Sequence, residues 1–337
     1  MSKDYGILEG CIATFEYPKP HGSGFKINMD VSVSLAKPNV SWRKRLRQRI
    51  GDPAAYLMLA PALLLIAVFF YYPMIQSFYM SMYKWPLLGE RTFIGLGNYL
   101  DMFKDKVAWE AWRFTLTWTL VITPFIFIPG LVLGFLTSSF RRSMSLFRSI
   151  YFMPTVLMTV AAGVIWRWFF GSQANGLANY FIMQLGLVDT PVDWLGNVPQ
   201  SILAVAFAGI WMWVGLTMLL MVGAIQGIPT EIHESASIDG ASWLQSAYYI
   251  TLPLMRTTFG LALIISIIGS FLSFAEFLIM TEGGPMHATT PIMMLIYNTS
   301  FRYYRLGYGA ALSFVLMVVL AVLTWVQLKW FHRPEEY

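Results

Sequence analysis

Six long, strongly apolar runs of this chain contain no Asp, Glu, Lys or Arg: residues 54–83, 114–140, 149–166, 194–230, 257–275 and 306–328. At about 1.5 Å rise per residue, even the shortest run approaches the roughly 30 Å hydrocarbon core of a bilayer. Backbone in lipid must satisfy its own polar groups, and apolar runs of this length do so as helices. The expectation is an all-α membrane protein with six transmembrane helices. The fourth run is longer than a spanning helix needs, and residues 202–224 are its most apolar part. Pro61, Pro73, Pro124, Pro129 and Pro154 interrupt several runs. Bundles tolerate them where neighbouring groups satisfy the freed carbonyls.

Composition removes the main alternatives. Only 12% of the 337 residues are charged and 57% are hydrophobic, whereas soluble domains average about 25% charged. The net charge of +5 does not indicate nucleic acid, because many basic residues flank apolar runs and act as topology signals. One cysteine, Cys11, cannot form an internal disulfide, and four scattered histidines lack metal-ligand spacing. Residues 1–50 are the most polar stretch, broken by Pro18, Pro20, Gly22, Gly24 and Pro38. They read as a cytoplasmic tail ahead of a transmembrane domain at 51–337. Leu8-Glu9-Gly10-Cys11 faintly resembles a lipoprotein cleavage box, but no apolar segment precedes it.

Basic residues near the run ends set the expected orientation. Arg43, Lys44, Arg45, Arg47 and Arg49 precede the first run, Arg141, Arg142 and Arg148 join the second and third, and Lys329 and Arg333 follow the sixth. The connection carrying Asp189 and Asp193 is acidic. The positive-inside rule therefore puts both termini in the cytoplasm. The segment between the first two runs is a counter-vote, with Lys84, Arg91, Lys104 and Lys106, but long loops translocate with little regard to charge.

Between the fourth and fifth runs the chain reads Ile228-Pro229-Thr230-Glu231-Ile232-His233-Glu234-Ser235-Ala236-Ser237-Ile238-Asp239-Gly240-Ala241-Ser242-Trp243, then Ile250-Thr251-Leu252-Pro253. Pro229 suits a first helical turn, and that helix can run to about Ile238. Gly240 supplies a turn, Asp239 or Ser242 can cap a second short helix, and Pro253 ends or bends it. Physics alone leaves this helix–turn–helix as either a solvated amphipathic connector or a docking element.

The segment resembles the EAA loop of the integral membrane subunits of binding-protein-dependent ABC importers. Glu234, Ala236, Asp239, Gly240, Ala241, Ile250, Leu252 and Pro253 match that pattern, and Ser235 replaces its first alanine. Ala247 stands where many carbohydrate-type members have a large aromatic. Phe93-Ile94-Gly95-Leu96-Gly97-Asn98-Tyr99 looks like the stretch after helix 1 in carbohydrate permeases of this superfamily. Thr281-Glu282-Gly283-Gly284-Pro285 looks like their turn after helix 5, and Tyr308-Gly309-Ala310-Ala311 like the start of their last helix. The matches cover residues 54–330.

The resemblance implies a type I importer permease fold of the bacterial inner membrane, with cytoplasmic coupling helices at 225–256. It implies a second, usually different, permease subunit, two ATP-binding cassette subunits that hold ATP and Mg, and an external solute-binding protein. The ATPase-coupling residues would be Glu234, Ser235, Ala236, Asp239, Gly240 and Ala241. No catalytic residue, metal or cofactor is expected in this chain, which lacks a Gly-x-x-x-x-Gly-Lys-Ser/Thr phosphate loop. The solute would be a carbohydrate, with an oligosaccharide preferred.

Three residues are candidates for the solute path. Glu276 falls in the outer part of the fifth helix, and a carboxylate there faces a water-filled path or serves as a helix-packing acceptor. Trp211 and Trp213 lie near the middle of the fourth run, where they either stack on sugar rings or pack the bundle. Trp166, Trp168 and Trp194 lie near run ends, where interfacial anchoring suffices. Two other functions compete. A secondary transporter needs ion-coupling carboxylates within its spans, and Glu276 is the only candidate. A membrane enzyme needs clustered His, Asp or Glu, and His21, His233, His287 and His332 are dispersed.

Overall fold

The computed structural model describes residues 53–139, 141–173 and 176–331. The tail with Cys11 and the end beyond Phe331 lie outside the described residues. The chain from Leu63 onward forms one compact unit, and residues 53–62 belong to a separate one.

Among the described residues, five helical stretches are long and apolar enough to span a membrane: Tyr56–Ser81, Lys106–Thr137, Val198–Gln226, Arg256–Met280 and Leu306–Phe331. The first comprises α1 (Pro53–Ile66), a π turn at Ala67–Tyr71, and α2 (Tyr72–Ser81). Its residues 56–75 are exposed, as an apolar helix facing lipid or a partner requires. A two-stranded ribbon, β1 (Tyr83–Lys84) and β2 (Thr92–Phe93), leads to α3 (Gly97–Lys104). The second span is α4 (Lys106–Thr137), started by Asp105, whose carboxylate accepts from the Val107 N–H at 2.9 Å.

The third span differs from expectation. Instead of one straight helix over 149–166, the chain forms α5 (Arg142–Val156) and α6 (Thr159–Phe169), bent by 95°. Leu157 and Met158 are extended, so the helical ladder stops there, just after Pro154 in the last turn of α5. The Thr155 hydroxyl holds the break by donating to the Met212 carbonyl at 2.7 Å. Counting this pair as one span gives six.

After α7 (Leu177–Gln184), the fourth span is α8 (Val198–Gln226). It lies against α4 at a close approach that the Gly-x-x-x-Gly spacing of Gly130 and Gly134 permits. A methyl at Gly130 would sit 2.6 Å from Thr217 Cβ, and one at Gly134 would sit 2.5 Å from Met221 Cβ. The helices α9 (Thr230–Ile238), α10 (Trp243–Ser246) and α11 (Leu252–Leu254) form the segment between the fourth and fifth spans. The fifth span divides into α12 (Arg256–Phe271) and α13 (Ala275–Met280), and α14 (Ile292–Tyr297) precedes the last span, α15 (Leu306–Phe331).

Three apolar clusters fill the bundle. Trp118, Ile122, Trp166, Phe170, Val205 and Phe277 centre the largest. A second joins α3, α4, α14 and α15 through Ala108, Ile292 and Leu312. The third, around Phe127, Met221 and Met255, supports the segment after α8.

Candidate functional site

Local chemistry builds the α9–α11 segment almost completely. Gly240 has φ +81°, in the left-handed region that glycine occupies without strain. Its N–H donates to the Ser237 carbonyl at 3.1 Å, and the Ala241 N–H donates to Ala236 at 2.9 Å. These paired bonds are a Schellman closure, which satisfies carbonyls left open at the end of α9. Ser242 then starts the next helix with a capping box: the Gln245 N–H donates to Ser242 Oγ at 3.4 Å and the Ser242 N–H donates to Gln245 Oε1 at 2.8 Å. A π turn at Ala247–Thr251 immediately precedes Pro253, whose missing donor and ring disturb the ladder there.

The two arms are joined by a 3.2 Å hydrogen bond between His233 Nδ1 and Ser246 Oγ. Gln226 Nε2 donates to the Ser138 carbonyl at 2.8 Å, tying the segment's root to the end of α4. Ala236 is buried, while Glu234, Ser235 and Asp239 are exposed and Ala241 is half-buried. The Ser235 hydroxyl donates to the Glu231 carbonyl at 2.8 Å, within its own helix. Glu234 has no hydrogen bond or ion pair with the described residues. One turn along α9, Ile238 is 86% exposed, and Leu244 in α10 is 70% exposed. A carboxylate flanked by uncovered apolar side chains at a rigid turn suits docking of another protein.

Within the bundle, α4, α8, α12 and α13 enclose a cavity of about 290 Å³. Glu276 and Trp213 both line it. Trp211 does not; its ring packs against Trp166 at 5.3 Å between centroids, inside the largest apolar cluster. The fifth helix is not continuous at this point. It stops at Phe271, and Glu276 falls in the first turn of α13 after a break over residues 272–274. Ser273 in that break donates to Glu276 Oε1 at 3.0 Å, and Trp118 Nε1 donates to Ser273 Oγ at 3.3 Å. One carboxylate oxygen of Glu276 thus closes a hydrogen-bonded chain beside the cavity. Trp118 and Ser273 are absent from the residues picked out by sequence, because their partners lie 155 and three positions away and only the break brings them together.

Residues 130–332 match the family of binding-protein-dependent transport system inner membrane components. The chain belongs to this family. It is 32% identical over 301 residues to the arabinooligosaccharides transport system permease protein AraP of Bacillus subtilis (strain 168), covering 88% of this chain and 94% of that protein. It is 31% identical to the lactose transport system permease protein LacF of Rhizobium radiobacter, with 83% and 94% covered. Identity is likewise 31% to the trehalose/maltose transport system permease protein MalF of Thermococcus litoralis, with 81% and 92% covered. Among solved structures, a chain of a bacterial ABC transporter involved in import of the acidic polysaccharide alginate superposes with a TM-score of 0.74. That likeness covers 87% of this chain and all of the other at 22% identity, and so concerns the fold.

In this inner membrane component the flanking motifs have structural work. Asn98 Nδ2 donates to the carbonyls of Ser81 and Tyr83 at 2.8 and 2.9 Å, and the Tyr99 hydroxyl meets Ser81 Oγ at 2.7 Å. The 93–99 motif thus fastens α3 to the end of the first span. In the 281–285 turn, Thr281 Oγ1 accepts from the Gly283 N–H at 3.3 Å and from the Thr289 hydroxyl at 2.9 Å. Tyr308 donates to Asp105 Oδ2 at 2.8 Å, joining the last span to the start of α4. Two tryptophans depart from the anchoring role. Trp166 is buried among Phe169, Phe170 and Phe207, and Trp194 Nε1 donates to Asn179 Oδ1 at 3.0 Å. Trp168 remains exposed at a helix end.

Proposed function

We propose that this chain is one of two permease subunits, the other a different chain, of an ATP-driven importer for a carbohydrate, an oligosaccharide by preference. The observation carrying this reading is the α9–α11 segment, a hydrogen-bonded helix–turn–helix in which Glu234 has no partner among the described residues and Ile238 and Leu244 are exposed. It offers two separate ATPase subunits, one per permease, a lever through which closure on ATP and Mg shifts the bundle between inward-facing and outward-facing states. An external binding protein delivers the solute. The relatives named for arabinooligosaccharides, lactose and trehalose/maltose support the carbohydrate class. The cavity bearing Trp213 and Glu276 supplies an aromatic face and a hydrogen-bond acceptor suited to a sugar ring.

In this reading both termini, the 141–148 connection and the 230–254 segment face the cytoplasm, and Asp189 faces outward. The test is reconstitution with the ATPase, the partner permease and the binding protein. Hydrolysis is expected only with the ATPase subunit and should rise with loaded binding protein, driving uptake of arabinotriose, lactose or maltose. Hydrolysis by this chain alone would overturn the division of labour. In sealed cells, an impermeant thiol reagent should label Asp189→Cys and spare Glu234→Cys in a Cys11-free background. Labelling at 234 would overturn the orientation and the coupling role together.

A further inference from the structure

The cavity between α4, α8, α12 and α13 has ionisable lining groups of a single type among the described residues. Glu276 is its only ionisable lining group, and no Lys, Arg or His lines it among the described residues. The remaining polar lining groups are neutral hydroxyls and indoles, and several are already committed. Trp118 donates to Ser273, Ser273 donates to Glu276, and the Ser270 hydroxyl donates to the Ser266 carbonyl at 2.8 Å. The carboxylate therefore receives a neutral donor and meets no cation among the described residues. When ionised, an intramembrane carboxylate beside a cavity acts on whatever enters, because a low effective dielectric leaves its charge poorly screened.

We propose that this cavity is a charge filter that admits neutral or amine-bearing sugar units and rejects uronates, with Glu276 as the group that sets the sign. The proposal rests on reading the cavity as part of the solute path. It also separates this chain from the transporter whose fold it shares, which is described as importing an acidic polysaccharide: the likeness extends to architecture and not to solute charge. A neutral sugar can approach the carboxylate with hydroxyl donors. A uronate brings a second anion to a wall with no counter-charge among the described residues of this chain, and at a few ångströms repulsion from an ionised Glu276 discriminates by about tenfold or more.

The field can be measured without any sugar. In the assembled transporter with Cys11→Ser, a Ser266→Cys side chain lies on the cavity wall and can be reacted with cationic or anionic methanethiosulfonate reagents. The ratio of cationic to anionic rate, referred to free mercaptoethanol, should be raised about tenfold with Glu276 present and should return to the free-thiol ratio in Glu276→Gln. The protein retaining Glu276 is informative by itself, so a misassembled Gln variant does not block the test. Protection then reads the solute class: arabinotriose should slow the reaction, and trigalacturonate at equal concentration should do so only in Glu276→Gln. A ratio equal to that of the free thiol with Glu276 in place, or equal protection by the two sugars, overturns the filter. Absence of protection by either sugar counts against the carbohydrate path, while the reagent ratio still decides the sign of the field.

Discussion

The Ala241 N–H reaches the Ala236 carbonyl at 2.9 Å across the left-handed turn at Gly240, which fixes the direction in which the chain leaves α9. No heavy atom lies within 4 Å of a Cβ placed on Gly240, so its constraint is conformational rather than steric. Asn tolerates this backbone region and β-branched residues do not. Gly240→Asn should keep binding-protein-stimulated hydrolysis near the parental level, whereas Gly240→Val should lose most of the coupling with the complex still inserted. Equal coupling in the two variants would remove the turn from the mechanism.

Glu234 has no partner among the described residues, so its removal should be silent in this chain. Glu234→Ala should leave the melting temperature of the isolated permease unchanged and weaken ATPase binding about tenfold to a hundredfold, the range for a shielded hydrogen bond to a charged group. A pull-down titration with the purified ATPase subunit measures this directly. A lowered melting temperature with unchanged binding would assign Glu234 to folding.

The neighbouring tryptophans Trp211 and Trp213 should separate by assay. Trp211 packs on Trp166 within the core, and Trp211→Ala should destabilise by about 3 kcal/mol through the lost contacts and the void left behind. Trp213 is 37% exposed and lines the cavity. Trp213→Ala should change the apparent affinity for solute with a smaller stability loss. Thermal unfolding in detergent and uptake kinetics on the same preparations check the contrast.

Asn179 is fully buried and holds together the loop between α6 and α8. Its Oδ1 accepts from the Val192 N–H and Trp194 Nε1, each at 3.0 Å, and its Nδ2 reaches the carbonyls of Gly171, Gln173 and Val192. Asn179→Leu leaves these groups unpaired and should cost about 2 kcal/mol or more. Limited proteolysis should then cut within 171–197 first, while cleavage elsewhere stays at the parental rate.

The α4–α8 contact predicts a compensating pair. Gly134→Ala puts a methyl against Met221, which is fully buried, and should lower the melting temperature. Met221→Ala alone leaves a void, and the double variant should be more stable than the sum of the two losses predicts. Strict additivity would mean that the helices adjust their separation freely.

Sequence alone determined the features whose causes are local. Charge-free runs specify where helices cross because unpaired backbone cannot remain in lipid. Asp239-Gly240-Ala241-Ser242 specifies a helix end and a helix start because a left-handed glycine and a capping hydroxyl act within five residues. Tertiary structure decided the rest. The spanning helices are apolar on all sides, so no periodicity marks which face meets lipid, core or cavity, and Trp211 and Trp213 look equivalent until Trp166 of α6 packs against one of them. The breaks at 157–158 and 272–274 depend on Met212 and Trp118, which accept from Thr155 and donate to Ser273 across the bundle. Such long-range hydrogen bonds leave no trace in local pattern, yet they place Glu276 beside the cavity.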